Sequence, residues 1–174
     1  MRTPTLPSTE QVWRWLSEVP DPEIPVISLT DLGIIRDVAW DDDTLVVSVT
    51  PTYSGCPATA VINLDIEKKL RAEGVSNLRL QRKLSPPWTT DWITDAGREK
   101  LRAYGIAPPV DGTAADGRLL ARVDRLSGTS NLVIECPRCR STNTERVSQF
   151  GSTPCKASYR CKDCLEPFDY FKCI

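Results

Sequence analysis

The chain has 174 residues, 22 Lys+Arg against 23 Asp+Glu for a formal net charge of -1, seven cysteines and no histidine. The length suits one modest domain with its own apolar core and a small appendage, and excludes two large domains. Without histidine there is no Ser-His or Cys-His pair and no imidazole ligand, so any metal must be held by thiolates or carboxylates.

No stretch approaches the ~18 consecutive apolar residues of a membrane span, and Met1-Arg2-Thr3-Pro4 lacks the apolar run of a signal peptide, so a cytoplasmic location is expected. From Gly128 onward there are seven Lys+Arg and five Asp+Glu, leaving fifteen and eighteen before it. Segment charges of +2 and -3 make neither part a polyelectrolyte and argue against nucleic-acid binding. The odd cysteine number and two Cys-x-x-Cys pairs favour metal or thiol chemistry over a disulfide scaffold.

In chain order, Ser8 with Gln11 resembles a capping box, and Val12, Trp15, Leu16 and Val19 recur at helical spacing until Pro20. Asp21-Pro22-Glu23-Ile24-Pro25 is a shaped loop, because each proline fixes its own φ and restricts the residue before it. A run from Ile34 to Trp40, the turn Asp41-Asp42-Asp43 and the alternation of Leu45, Val47 and Val49 predict a β-hairpin. Pro57 suits the first position of a helix whose buried stripe is Val61, Ile62, Ile66 and Leu70, stopped by Gly74. Leu78, Leu80, Arg82 and Leu84 alternate as a third strand, and a shorter helix runs from about Thr94 to Tyr104, ended by Gly105.

The order helix, hairpin, helix, strand, helix predicts a small two-layer α/β (α+β) sandwich with a mixed sheet, since a right-handed crossover brings the third strand parallel to a hairpin strand. The expected organisation is an α/β domain over 1–105, a Pro-, Ala- and Gly-rich linker over 106–130 with a short amphipathic turn at Leu119 to Leu126, and a zinc-ribbon domain over 131–174.

Cys136/Cys139 and Cys161/Cys164 are separated by twenty-one residues, close to the spacing at which two knuckles face each other across a tetrahedral ion. The alternative is two unrelated pairs of buried cysteines. Four thiolates leave no open position for water, so structural zinc is expected rather than catalytic zinc. A ribbon this short would draw most of its folding free energy from the metal. Cys155 and Cys173 with Cys161 and Cys164 make an alternative four-thiolate set for an iron–sulfur cluster, or are small buried side chains. Phe168-Asp169-Tyr170-Phe171 reads as a terminal strand over the ribbon, or as a partner surface.

Cys56 lies in Thr50-Pro51-Thr52-Tyr53-Ser54-Gly55-Cys56-Pro57, between a strand and the start of the central helix. A thiol at a helix N-cap meets the positive end of the macrodipole and unpaired N–H groups, which favour thiolate. Thr52, Ser54 and Gly55 would let the loop close around an anion or metal centre, whereas a lone cysteine in such a place is often merely buried. Asp21 and Glu23 stand either beside it or as solvated turn residues.

Asp21-Pro22-Glu23-Ile24-Pro25, Asp31-Leu32-Gly33 and Thr52-x-x-x-Cys56-Pro57 together resemble the iron–sulfur assembly domain family that includes the SufT-like proteins. With Pro87-Trp88-Thr89-Thr90-Asp91-Trp92 and the tail from Phe150-Gly151-Ser152-Thr153 to Cys173-Ile174, nearly the whole chain resembles the D-type subunits of bacterial phenylacetyl-CoA epoxidase systems of phenylacetate degradation. That resemblance implies a non-catalytic accessory or maturation factor for the ring 1,2-epoxidation system. It implies a transient iron or iron–sulfur cluster handled at Cys56, a site shaped by Asp21, Glu23 and Thr52, and partners in the oxygenase and reductase components. It leaves a homodimer open. The competing expectation is an interaction subunit that binds those components through the ribbon and the Trp88/Trp92 region without handling metal. A nucleic-acid-binding ribbon ranks last.

Overall fold

The structure, a computed structural model, describes residues 6–53, 55–110 and 133–172. They fall into two compact units, Met1–Trp88 and Thr89–Ile174.

In the first unit, helix α1 (Thr9–Ser17) is closed by the capping box: the Ser8 hydroxyl accepts the Gln11 N–H at 3.2 Å and the Gln11 side chain accepts the Ser8 N–H at 3.0 Å. Its buried face is Val12 and Leu16, and it packs against β1 and α2. Strands β1 (Ile35–Asp41) and β2 (Thr44–Val49) form the antiparallel hairpin, turning at Asp42 with φ 53°. Helix α2 (Thr59–Ala72) then carries the chain to β3 (Leu78–Arg82), which pairs parallel with β2 in the register Leu45↔Leu78, Val47↔Leu80, Val49↔Arg82. The sheet is mixed, in the order β1-β2-β3, and Leu45, Val47 and Val49 are buried.

Two details of α2 differ from expectation. Its buried stripe is Ile62, Ile66 and Leu70, whereas Val61, one position round the helix, is 45% exposed. The helix starts at Thr59 and not at Pro57, because the Thr59 N–H and hydroxyl both bond back to the Cys56 carbonyl, at 3.3 and 2.9 Å, and hold residues 56–58 in a turn.

The second unit starts with a 3-10 turn (Thr90–Trp92) and helix α3 (Asp95–Tyr104), whose Thr94 hydroxyl accepts the Gly97 N–H at 3.0 Å. Gly105 ends the helix with φ 94°, a conformation that disfavours any side chain. Next come β4 (Ile106–Ala107), β5 (Thr144–Ser148), β6 (Lys156–Cys161) and β7 (Pro167–Phe171), arranged β4-β7-β6-β5 with β4 parallel to β7 and the other pairs antiparallel. One cluster includes Ala107, Ile134, Tyr159, Phe168 and Tyr170; the Tyr159 ring stacks on Phe168 at 5.9 Å and meets Tyr170 edge-on at 5.7 Å.

The compact units therefore part at Trp88 and not at residue 105. Helix α3 falls in the unit that contains the ribbon, and Ile106–Ala107, expected to be linker, form a strand of the ribbon's sheet. Backbone pairing by two residues leaves no side-chain pattern to read. The turn expected at Leu119 to Leu126 lies outside the described residues. Among the described residues no helix is long and apolar enough to cross a membrane.

Candidate metal centre and cysteine loop

Each Cys-x-x-Cys pair sits in a tight knuckle. In the first, the Cys136 N–H donates to the Ser141 carbonyl and the Arg140 N–H to the Cys136 carbonyl, both at 2.9 Å. In the second, the Cys161 N–H donates to the Glu166 carbonyl at 2.9 Å, and the Cys164 N–H points at the Cys161 sulfur at 3.5 Å. The residue after the second cysteine is left-handed in both knuckles, Arg140 at φ 64° and Leu165 at φ 63°. Neither is glycine, so each carries local backbone strain of about 1–2 kcal/mol.

The four sulfurs lie within 4.8 Å of one another, with Cys136 Sγ 3.7 Å from Cys164 Sγ and Cys139 Sγ 3.6 Å from Cys161 Sγ. A disulfide would bring two sulfurs to about 2.0 Å. Four thiolates about 2.3 Å from one tetrahedral ion stand about 3.8 Å apart, so this donor set fits a single ion. The site is one-sided: Cys136 and Cys161 are buried, Cys164 is half-buried and Cys139 is exposed.

The electrostatics fit the same arrangement. The backbone N–H of Cys164 is the main influence on Cys161 and pulls its thiol down to about 7 against burial. The Ser141 N–H pulls the Cys139 thiol down, but its contact with the Cys164 thiol, desolvation, and the Cys161 and Cys136 thiols together push it up to about 12. One thiolate is comfortable here, and a full set needs a cation among them.

Cys155 does not join this group. It is buried before the first residue of β6, its sulfur 3.0 Å from the Thr153 hydroxyl, while Cys161 ends the same strand. Six residues of extended chain separate the two by about 20 Å, so Cys155 and Cys161 cannot bind one cluster. Cys173 lies outside the described residues.

In the first unit, Cys56 is half-buried in the β2–α2 connection, its N–H donating to the Tyr53 carbonyl at 3.2 Å. It is not the N-cap. That position is Ala58, which offers no side-chain bond. Thr52 is on the same connection, half-buried, and Ser54 lies outside the described residues.

Asp21 is buried in the α1–β1 connection, where its Oδ1 accepts the Glu23 N–H at 2.9 Å and the Ile24 N–H at 2.8 Å, closing its own loop. Further on, Ser28 and Asp31 exchange bonds, the Ser28 hydroxyl accepting the Asp31 N–H at 3.1 Å and Asp31 Oδ2 accepting the Ser28 N–H at 3.3 Å, ahead of left-handed Gly33 (φ 68°).

Backbone bonds gather these loops at one end of the sheet. The Thr50 N–H donates to the Ile34 carbonyl and the Lys83 N–H to the Val49 carbonyl, both at 2.9 Å. The Trp88 indole N–H crosses to the Leu32 carbonyl at 2.9 Å, and the side chain is buried. Trp88, expected on a partner surface, is instead an internal strap; Trp92 is half-buried. The Asp31-Leu32-Gly33 segment and the segment holding Thr52 and Cys56 thus start from the C-terminal end of the parallel β2/β3 pair, and the Asp21–Glu23 loop is tied to the first of them through the Pro20–Ser28 bridge. Open α/β sheets bind ligands beyond the carboxyl ends of their strands. Sequence reasoning missed the strap, although the Pro-Pro-Trp motif was visible.

Residues 9–77 match the iron-sulfur cluster assembly protein family and residues 122–172 match the PaaD zinc beta ribbon domain. A protein of Escherichia coli K12, provisionally named as the D-type component of 1,2-phenylacetyl-CoA epoxidase, is 46% identical over 97% of this chain and 94% of its own length. An Fe-S protein maturation auxiliary factor of Porphyromonas gingivalis is 34% identical over 58% of this chain and 97% of its own. The crystal structure of a domain of unknown function from Bacillus anthracis has a TM-score of 0.49 and 26% identity, covering 53% of this chain and 89% of that one. With near-complete coverage at 46% identity, and both family profiles matched in order, the chain belongs to the family of D-type 1,2-phenylacetyl-CoA epoxidase subunits.

Proposed function

We propose that the chain is an accessory subunit of a phenylacetyl-CoA epoxidase system that assists assembly of an iron–sulfur or other iron centre, with Cys56 as the thiolate that receives the iron or cluster in transit. Asp21, Glu23 and Thr52 shape that site, and the oxygenase or reductase component is the client. The observation that carries the reading is that the Asp31 and Cys56 segments both start from the carboxyl end of the β2/β3 pair, with the Asp21 loop bridged to the Asp31 segment. The maturation-factor relative, which covers 58% of this chain, supports it. We assign Cys136, Cys139, Cys161 and Cys164 to one structural zinc, a reading supported by sulfur contacts of 3.6 and 3.7 Å that suit a single ion.

The test is Cys56→Ser in cells that express the epoxidase components. Iron and acid-labile sulfide in the purified oxygenase and reductase should fall while the variant stays folded. Full occupancy of both clients would remove the proposal.

A second reading, a stoichiometric interaction role, draws on exposed apolar side chains of the second unit: Val133 at 62%, Val147 and Phe150 at 65%, and Leu165 at 60%. Co-purification with the oxygenase or reductase that survives Cys56→Ser and is lost in a Val147→Asp/Phe150→Asp variant would favour it.

A further inference from the structure

A bare ribbon depends on its ion because it has little else to bury. This unit has more. Helix α3 buries Leu101, β4 adds a fourth strand, and Ile134, Tyr159, Phe168, Tyr170 and Phe171 are all buried. At about 1.5–3 kcal/mol for each large apolar side chain buried, this core is a substantial driving force that involves no metal.

Contacts other than the ion also tie the two knuckles to each other. Asp163, inside the second knuckle, accepts from two residues of the segment that follows the first: the Ser141 hydroxyl on Oδ2, and the Asn143 amide on Oδ1 at 2.7 Å. The Lys162 N–H donates to the Asn143 carbonyl at 2.8 Å, and Arg138 of the first knuckle pairs with Glu166 beyond the second. On the inner side, the Thr144 hydroxyl donates to the Ile134 carbonyl at 2.7 Å, fixing the start of β5 to the segment entering the first knuckle. The Asp163 and Arg138 contacts are exposed, and each is worth little on its own. All of them span the same gap between the two cysteine knuckles.

We propose that the second unit folds without its ion and that the four-cysteine centre loads and releases a thiophilic divalent cation reversibly through its Cys139/Cys164 side, with Asp163 as the positioning residue that keeps the empty knuckles in register. The inference rests on the reading that these four thiolates hold one ion. Cys136 and Cys161 anchor the centre to the core, while exposed Cys139 and half-buried Cys164 are the ligands that water and an incoming ion reach first.

The test uses the full chain, stripped with a chelator under reducing conditions and followed by amide hydrogen exchange and cobalt(II) titration, read from the thiolate-to-cobalt absorption. Amides of β6 and β7 should stay protected to within about tenfold of the metal-bound protein, and cobalt(II) should rebind fully. Asp163→Ala should keep that protection but lower cobalt(II) affinity about tenfold, the lower end of the effect of losing a contact outside the ligand set. Asp163→Asn, which keeps one acceptor oxygen, should fall between. Loss of protection throughout β6 and β7 on chelation would overturn the metal-independent fold. Unchanged affinity in Asp163→Ala would overturn its positioning role. Absence of any thiolate-to-cobalt absorption in the unsubstituted protein would instead remove the reading beneath both.

Discussion

The two cysteine regions are built on opposite plans. In the second unit the four sulfurs come from two short turns, face one another at 3.6 and 3.7 Å, and each pair is followed by a left-handed residue, Arg140 or Leu165. In the first unit a single half-buried thiol stands on the loop after β2, whose Thr50 bonds to Ile34, while Lys83 bonds to Val49 and Trp88 straps Leu32 at the same sheet end. Among the described residues no non-glycine residue near Cys56 has a positive φ. A complete set satisfies all four positions of an ion by itself, whether the ion is kept or exchanged. A single thiol leaves an iron or cluster dependent on ligands from elsewhere, which is the physical difference between the two proposed roles.

The largest effect should come from breaking the complete set. Cys161→Ser removes one of four ligands from a centre whose analogues gain about 10–16 kcal/mol from the ion; an equal share is about 3–4 kcal/mol, or a loss of affinity of about 100- to 1,000-fold. Zinc content by mass spectrometry should drop accordingly in Cys161→Ser and be unchanged in Cys56→Ser and Cys155→Ser. A drop in Cys155→Ser would contradict the placement of that thiol at the far end of β6.

Next in size is pH. Every ligand must be deprotonated to bind, so ion affinity falls as pH falls, and Cys161, held down at about 7, keeps its thiolate to lower pH than Cys139, pushed up to about 12. In the metal-free protein the signs differ between the two thiols. Cys161, lowered in the folded state, adds stability above the ordinary thiol range of about 8.5 and loses it as pH falls through about 7. Cys139, raised to about 12, adds stability below that range and loses it as pH climbs toward 12. The thermal stability of the stripped protein should therefore fall at alkaline pH, while cobalt(II) affinity improves over the same interval.

On the other side of the comparison, Trp88→Phe keeps most of the buried ring but leaves the Leu32 carbonyl without its donor, a cost of about 1–3 kcal/mol. Urea unfolding measures that cost. The rate at which iodoacetamide alkylates Cys56 should rise as the loops loosen, with the metal content of the second unit unchanged. A normal alkylation rate in a destabilised variant would make Trp88 a core residue and nothing more.

Much of the fold was legible because it depends on local chemistry. The Ser8/Gln11 capping box, the Gly74 and Gly105 stops and the period-two strands each appear where the residue types require them. The spacing of the cysteine pairs likewise singled out the four sulfurs that lie within 4.8 Å. The misses involve partners far away in the chain. Cys155 looked like a ligand because a count of thiols does not say which end of a strand each occupies. Trp88 looked like a surface aromatic because its acceptor is 56 residues earlier. Cys56 looked like an N-cap because the turn held by Thr59 is set by two bonds to one carbonyl, which Pro57 does not reveal. The sheet-end gathering is a product of topology and has no motif of its own.

The smallest effect, and the sharpest test of the contrast, concerns the knuckle strain. Leu165 is 60% exposed and left-handed, so Leu165→Gly sacrifices little packing while relieving about 1–2 kcal/mol of strain. The greater freedom of glycine in the unfolded chain offsets about 0.5–1 kcal/mol of that gain. The metal-free protein should end about 0.5–1 kcal/mol more stable, a rise of a few degrees in Tm, and Leu165→Ala should show no such gain because alanine remains strained at the same φ. Arg140→Gly removes the equivalent strain from the first knuckle and should behave alike. If cobalt(II) affinity is unchanged in both glycine variants, the strain is incidental to presenting the sulfurs. If stability rises while affinity falls, the left-handed residues help to aim Cys139 and Cys164, and the contrast between a pre-set ligand group and a receptive loop is built into the backbone itself.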